Sequence, residues 1–395
     1  MERVLIAQKP IPARIAVVHD WLIDFAGSER VLAEILRCFP QADLFALIDH
    51  MPQAEREWLG GRRAKTSFLQ NLPGIASHHT YYLPLMPIAI EQLDVTGYDL
   101  VISCSHAVAK GVIVNPDALH ISYVCSPMRY AWDQQFAYLR GERMERGILS
   151  ALLRWQLHRL RLWDHRSAAS VDSFVADSHF VARRILKAYR REAQVIYPPV
   201  DTEAFQPGTQ RGEDYVTVSR LMHYKRVDLL VQAFRDLPDR RLVVIGEGPE
   251  YARIRAAAPA NVDMLGRLPQ EAVRDRVSRA RAFLFASVED FGIAPVEALA
   301  CGTPVIALRR GGAAETVTGL DADEPTGVFF EEQTAESVAA AVRSFEQNSH
   351  RILGAACRRR AERFSAQRFR SEFAAFVAQK HAEWRSYCAT GGEQN

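Results

Sequence analysis

Short apolar runs alternate with stretches of helical periodicity along most of this chain. Arg14 to His19 (RIAVVH) reads as a strand, and Ser28 then opens a helical pattern through Val31, Leu32, Ile35 and Leu36 that Pro40 stops. Further strand-like runs fall at 98–103 (YDLVIS), 120–124 (HISYV) and 173–176 (SFVA), each followed by a polar or helical segment. Strand and helix in alternation predict an α/β fold with a parallel, doubly wound sheet.

Around Pro198, Pro199 and Pro207 to Gly212 the chain turns polar and rich in Pro and Gly, the composition of an interdomain connection. Beyond it the alternation restarts. Strands are expected at Tyr215 to Val218, Leu242 to Ile245, Val262 to Leu265, Ala282 to Phe285 and Pro304 to Leu308. Between and after them come helices at Val227 to Phe234, near 250–257, near 270–279, from about Ala294, and over 334–346. After Ser365, a residue suited to an N-cap, Phe369, Phe373, Phe376 and Val377 mark an amphipathic terminal helix that could pack back across both lobes. The reading is two Rossmann-like domains, 1–199 and 200–364, with 365–395 returning to the first. Two lobes imply a cleft.

Composition then narrows the classes. At 395 residues the chain exceeds one ordinary domain of about 100 to 200 residues. With 48% hydrophobic and 24% charged residues it is neither disordered nor fibrous. A net charge of +2 supplies no global field for nucleic acid, so none is expected as a partner. Cys38, Cys104, Cys125, Cys301, Cys357 and Cys388 are scattered without metal-site spacing and read as reduced cytoplasmic thiols. No apolar run approaches the ~18 residues of a membrane span, and MERVLIAQKPIP lacks the features of a signal peptide, so a soluble or peripheral protein is expected.

The densest candidate chemistry lies at Ser287-Val-Glu-Asp-Phe-Gly-Ile-Ala-Pro-Val-Glu297. One carboxylate follows a strand and another sits in the first turns of the next helix, both towards the sheet edge where open α/β sheets bind ligands. Pro295 near the helix start leaves amides around Phe291, Gly292 and Ile293 to meet an anion. Carboxylates for hydroxyls and amides for phosphates suit a nucleotide sugar. In isolation, Glu297 would be only a favourable first-turn charge and Glu289 a solvated loop acid; the surrounding residues tip the reading.

Glu289-x7-Glu297 followed by Ala-Leu-Ala-Cys-Gly302-Thr-Pro304 resembles the signature of family 4 retaining glycosyltransferases, which have the two-domain GT-B fold. Val218-Ser-Arg220 with Lys225 resembles that family's pyrophosphate clamp, and Gly246-Glu-Gly248-Pro249 its glycine turn near the nucleotide. Gly266-Arg267 resembles the nucleobase-side turn, and Gly311-Gly312-Ala-Ala-Glu315 the loop closing this domain's site. The resemblance implies Arg220, Lys225 and Glu289 as catalytic residues, with Gly246, Gly248, Arg267, Phe291, Gly292, Ile293 and Glu297 at the donor. A departing nucleoside diphosphate needs fixed positive charge, which Arg220 and Lys225 can supply. No strand-end Asp-x-Asp is present for a divalent ion, so no metal or other cofactor is expected.

In the first lobe, Ala26-Gly27-Ser28-Glu29 ends the first βα loop and resembles the family's Gly-Gly loop, with Ala26 in place of the first glycine. Gly27 is either a point of close backbone approach to the donor or part of an ordinary helix cap. Ser103-Cys-Ser-His106-Ala-Val-Ala-Lys110-Gly and Tyr123-Val-Cys125-Ser-Pro-Met-Arg129-Tyr-Ala-Trp132-Asp133 are most similar to the O-antigen and exopolysaccharide mannosyltransferases of bacteria. Lys65-Thr-Ser-Phe-Leu and Tyr82-Leu-Pro84-Leu-Met-Pro87 support that branch. Where many members carry a histidine contacting the donor sugar, Cys125 stands instead. His106 is either a replacement imidazole or a structural histidine. Lys110 and Arg129 are either acceptor-phosphate ligands or surface residues.

Arg140 to Arg166 carries seven arginines against three acids, interleaved with Ile148, Leu149, Leu152, Leu153, Trp155, Leu157, Leu160 and Trp163. Such a segment suits an anionic membrane surface, or else packs its apolar face into the lobe. The resemblance thus implies a retaining, metal-independent transferase moving mannose from GDP-mannose to a lipid-linked saccharide in surface-polysaccharide synthesis. The place implied is the cytoplasm, at the inner membrane face. A nucleotide-sugar isomerase or epimerase on this scaffold, or a non-catalytic sugar-nucleotide-binding module, are the alternatives.

Overall fold

The computed structural model describes residues 14–141, 144–208 and 210–391. The N-terminal MERVLIAQKPIP, and Glu142 and Arg143 of the basic segment, lie outside the described residues. Two compact units emerge, one of residues 1–198 with 369–395 and one of residues 199–368.

In the first unit the strands are β1 (Ile15–His19), β2 (Asp43–Ala46), β3 (Lys65–Thr66), β4 (Leu100–Ser105), β5 (Leu119–Val124), β6 (Ser173–Ala176) and β7 (Gln194–Val195). Among the described residues they form one parallel sheet of order β3-β2-β1-β4-β5-β6-β7. β1, β4 and β5 are buried along their whole length, as parallel strands covered on both faces must be, which is why they read as unbroken apolar runs. The helix Gly27–Cys38 buries Val31, Leu32, Ile35 and Leu36 against them.

The terminal helix Ala366–Gly391 starts where Ser365 Oγ accepts from the Arg368 amide at 3.3 Å, the N-cap expected of that serine. Its Phe369, Phe373 and Val377 belong to the first unit's core, where the Phe369 and Phe373 rings stack at 5.5 Å beside Tyr123. Each buried phenylalanine contributes roughly 1.5–3 kcal/mol of apolar burial.

The second unit holds β8 (Tyr215–Val218), β9 (Leu242–Ile245), β10 (Val262–Gly266), β11 (Ala282–Phe285), β12 (Val305–Leu308) and β13 (Gly327–Phe330). Among the described residues these make a parallel sheet of order β10-β9-β8-β11-β12-β13. Both sheets reverse their winding once, between β1 and β4 and between β8 and β11. At such a switch point adjacent loops leave in opposite directions and open a crevice beyond the strands' carboxyl ends. Two Rossmann-like lobes of this kind constitute the GT-B fold.

Candidate functional site

At the second unit's switch point, the loop after β8 carries Arg220 and a 3-10 turn, His223–Lys225. The loop after β11 carries Glu289. Lys225 Nζ donates to Glu289 Oε1 at 2.5 Å, and Ser287 Oγ donates to the Lys225 carbonyl at 3.1 Å, tying the two loops together. The ion pair is largely but not wholly enclosed, with 17% and 19% of the two side chains exposed. Arg226, next in the chain, takes a left-handed conformation (φ 52°), a side-chain-bearing residue held at a cost of order 1–3 kcal/mol beside a candidate catalytic lysine. Arg220 is exposed and pairs with no carboxylate among the described residues.

The glycines of this unit bring backbones together. A Cβ at Gly246 would stand 1.9 Å from the Ser219 carbonyl oxygen, and one at Gly248 would stand 2.5 Å from that of Leu221. Leu221 N donates to Glu247 O at 2.8 Å, so the β9 glycine turn is the floor on which the Arg220 loop rests. Gly311 and Gly312 do the same for the other loop, where a Cβ would meet Glu289 O at 2.4 Å and Phe291 O at 2.2 Å.

Gly292, at φ 85°, caps the helix Ile293–Ala300, whose first-turn amides have no intrahelical partner. Glu297 is half-buried inside that helix, one turn before Cys301. The Phe291 side chain, however, is only 3% exposed and meets the Phe364 ring edge-on at 5.5 Å, so only its backbone is placed to face a donor. Arg267 is exposed just beyond Gly266, itself left-handed at φ 69°.

In the first unit the switch point is filled by charge that the strand pattern hides. His19 ends β1, fully buried, with Nδ1 3.1 Å from the Cys104 carbonyl oxygen and Nε2 3.1 Å from Glu29 Oε1. Both neighbours accept, so the doubly protonated ring satisfies them best. Burial on its own lowers the His19 pKa, but the bonds towards Cys104 and Glu29 outweigh it and the net shift is upward. Glu29 is held below the usual carboxylate value, its burial outweighed by the bond to His19. Its second oxygen accepts from Ala26 N at 3.0 Å, which makes Gly27 the first residue of a helix closed by a buried glutamate.

Asp20, also fully buried, accepts four backbone hydrogen bonds: Oδ2 from His106 N (2.7 Å) and Ala107 N (2.9 Å), Oδ1 from Val108 N (2.6 Å) and Ala109 N (2.7 Å). The segment after β4 is thereby wrapped around one carboxylate. Its His106 Nδ1 lies 3.1 Å from Asp20 Oδ2, and the edge of the ring meets Trp21 at 4.5 Å between centroids. Burial, outweighing the pull of Asp20, keeps His106 below the ordinary imidazole value, so it is neutral near pH 7. Cys125 follows β5 and its amide donates to Ser105 O at 2.9 Å. The Cys104 thiol is drawn down to about 7, first by its bond with Cys125 and despite burial, while Cys125 is pushed up.

Lys110 does not face an acceptor. It is 1% exposed, paired with Asp164 and flanked by the Trp163 and Tyr189 rings at 5.3 and 5.0 Å. Asp164 also accepts from Trp132 Nε1 (2.7 Å) and Tyr189 Oη (3.0 Å), so this is a satisfied core ion pair and the expectation of a phosphate ligand there is corrected. Arg129 is half-buried beside Tyr130, close enough to help lower the His106 pKa. His19, Asp20, Glu29 and Trp21 were not singled out from the sequence; a His-Asp pair closing an apolar strand, with an acid three residues inside the next helix, is the signal that could have found them.

In the helix Ile148–Ser167, Leu157, Leu160 and Asp164 face the core, while Ile148, Leu149, Leu152, Trp155 and Leu162 are exposed. The packing reading therefore holds for one face, and the opposite face leaves its apolar side chains exposed. No helix among the described residues is long and apolar enough to cross a membrane, and no group of three or more His, Cys, Asp or Glu among them is placed to hold a metal ion.

Residues 200–364, nearly the whole of the second unit, match the family of glycosyl transferases group 1, and the two lobes have the GT-B fold. Among curated relatives, the chain is 32% identical over 238 residues to the D-inositol 3-phosphate glycosyltransferase of Geodermatophilus obscurus, covering 52% of each chain. It is 28% identical over 221 residues to the GDP-mannose-dependent alpha-(1-6)-phosphatidylinositol dimannoside mannosyltransferase of Mycobacterium tuberculosis, 51% of this chain and 56% of that one. The chain thus spans about half the length of these relatives. In fold it is similar to Anabaena Alr3699/HepE, solved in complex with UDP and glucose, with TM-score 0.66 and 15% identity over 92% of this chain and 99% of that one. It is likewise similar to sucrose-phosphate synthase of Thermosynechococcus elongatus, with TM-score 0.68 and 18% identity over 94% and 99%.

Proposed function

We propose that this chain is a retaining glycosyltransferase that moves mannose from GDP-mannose to a lipid-linked saccharide, with the donor on the second unit and the acceptor on the first. The observation that carries the reading is the Lys225–Glu289 pair at the β8/β11 switch point, with exposed Arg220 on the same loop as Lys225. An incoming diphosphate competes with Glu289 for the Lys225 ammonium and adds Arg220, while the released carboxylate is free to accept from a sugar hydroxyl. As the bond to the leaving diphosphate breaks, these two cations and the first-turn amides after Gly292 meet the growing charge, so no divalent metal is called upon.

Mannose and a lipid-linked acceptor are supported by the Mycobacterium tuberculosis relative's description and by the exposed apolar stripe of the Ile148–Ser167 helix. That helix has a single acid, the buried Asp164, against exposed Arg159 and Arg166, which suits an anionic bilayer surface at the cytoplasmic membrane. The test is transfer from radiolabelled GDP-mannose, UDP-glucose and UDP-N-acetylglucosamine to a polyprenyl-diphosphate-linked saccharide, with and without EDTA. GDP-mannose turnover unaffected by EDTA is expected; no transfer from any nucleotide sugar would sink the proposal.

A further inference from the structure

Beside His106 the first unit contains a cavity of about 330 Å³ walled by Trp21, Leu83, Met86, Tyr130, Leu153 and Leu157. We infer that this cavity receives the apolar chain of a phosphate-linked lipid acceptor, an assignment that rests on the transferase reading above and adds to it where the lipid goes.

Three observations point there. The first is continuity. Leu149, Leu153 and Leu157 follow one another at four-residue spacing on one helix, and they pass from exposed to half-buried to buried. One face of the helix therefore runs from the surface stripe into the cavity wall. Phe136, 60% exposed and next to the cavity residue Gln135, extends the stripe on a second helix, Gln135–Gly141.

The second is a polar group waiting inside an apolar shell. The Tyr130 hydroxyl is buried and has no hydrogen-bond partner among the described residues, an arrangement that costs free energy unless something else supplies an acceptor. A phosphate oxygen is such an acceptor, and Arg129 is adjacent to it in the chain.

The third is placement and charge. Trp21 walls the cavity and also meets the His106 ring, so one end of the space adjoins that candidate imidazole. Arg154 lies 5.8 Å from the Phe136 ring and Arg159 5.5 Å from the Trp155 ring, placing cations among the exposed apolar side chains where an anionic lipid would enter. At roughly 30 Å³ per water-sized group the cavity holds about ten such groups, enough for a stretch of alkyl or isoprenoid chain but not a folded peptide segment.

The experiment titrates the full chain by calorimetry with hexyl, octyl, decyl and dodecyl phosphate below their micelle concentrations. Affinity should rise by about four-fold per methylene and level off once the cavity is filled. Leu153→Trp, at a half-buried wall position, and Thr80→Trp, at the exposed rim, should each weaken decyl phosphate at least ten-fold while leaving the melting temperature and GDP binding unchanged. A decyl phosphate with a terminal diazirine should label Leu83, Met86 or Leu157. Affinity independent of chain length, unchanged binding in both folded variants, or labelling confined to the exposed stripe would each overturn the inference. Transfer to a chain-free soluble saccharide separates the two readings. If it proceeds while alkyl phosphates fail to bind, the cavity assignment alone falls; if alkyl phosphates bind but no nucleotide sugar is turned over, the transferase reading falls and takes the acceptor role with it, leaving only a site for an alkyl phosphate.

Discussion

At the second unit's switch point Lys225 and Glu289 remain partly open to solvent, with Arg220 exposed beside them. At the first unit's, His19, Asp20 and Glu29 are sealed, and each finds all its partners within the protein. The same topology thus presents charge in one lobe and consumes it in the other. An ion pair that keeps an open side can exchange one partner for a ligand. A sealed carboxylate gripping four amides holds the segment after β4 in place, and in doing so it sets where His106 stands against Trp21.

The sharpest way to break this contrast is Asp20→Ala. If Asp20 is a structural anchor, losing it orphans four buried amides and should lower unfolding free energy by about 3–5 kcal/mol, read by chemical denaturation. Lys225→Met should show the converse, with near-native stability and kcat lower by about 10²–10³, equivalent to about 2.7–4 kcal/mol of transition-state stabilisation. Unaltered turnover would mean that the open ion pair is not the donor site. Lys110→Met tests the corrected residue. A loss of about 3 kcal/mol in stability is expected, with acceptor KM unchanged in the folded fraction, whereas a raised KM would return Lys110 to the acceptor.

The smallest effect concerns pH. His19 is raised above the ordinary 6.5, so its contribution is complete below that pH and is lost as pH climbs through the folded value. Glu29 is lowered from 4.5, so its contribution is present above that pH and is lost as pH falls through its folded value. Stability from this pair should therefore be greatest between pH 4.5 and 6.5 and decline on both sides. His19→Gln should flatten the alkaline decline, and a mutant retaining the full slope would show that another group causes it.

Much of this architecture was legible because central parallel strands are buried on both faces and so appear as apolar runs. β8, β9 and β11 lie where the pattern put them, and the terminal helix begins at its expected serine. β3 and β7 escaped because two residues carry no period, and β2 and β13 because their runs are short and flanked by turns and charges. The second unit's candidate residues were readable because Gly246, Gly248, Gly311 and Gly312 allow close backbone contact, a requirement that shows in the residue type itself. Lys110 misled because Asp164, the partner that buries it, lies 54 positions away and nothing local announces the pairing. The sealed triad stayed hidden for the same reason, since His19, Asp20 and Glu29 look like polar punctuation until β4 is laid beside β1.

The terminal helix has a consequence for how the molecule is made. Phe369, Phe373 and Val377 complete a core whose other members end near residue 196, so the first lobe leaves the ribosome with its hydrophobic interior unfinished. At about 5–20 residues per second, the intervening stretch takes on the order of ten to forty seconds to synthesise. The second lobe, contiguous in sequence, can fold in that interval, while the first waits with exposed aromatic surface at Tyr123 and Phe39. Early termination after residue 368 would therefore spare the lobe being translated and cripple the one already made.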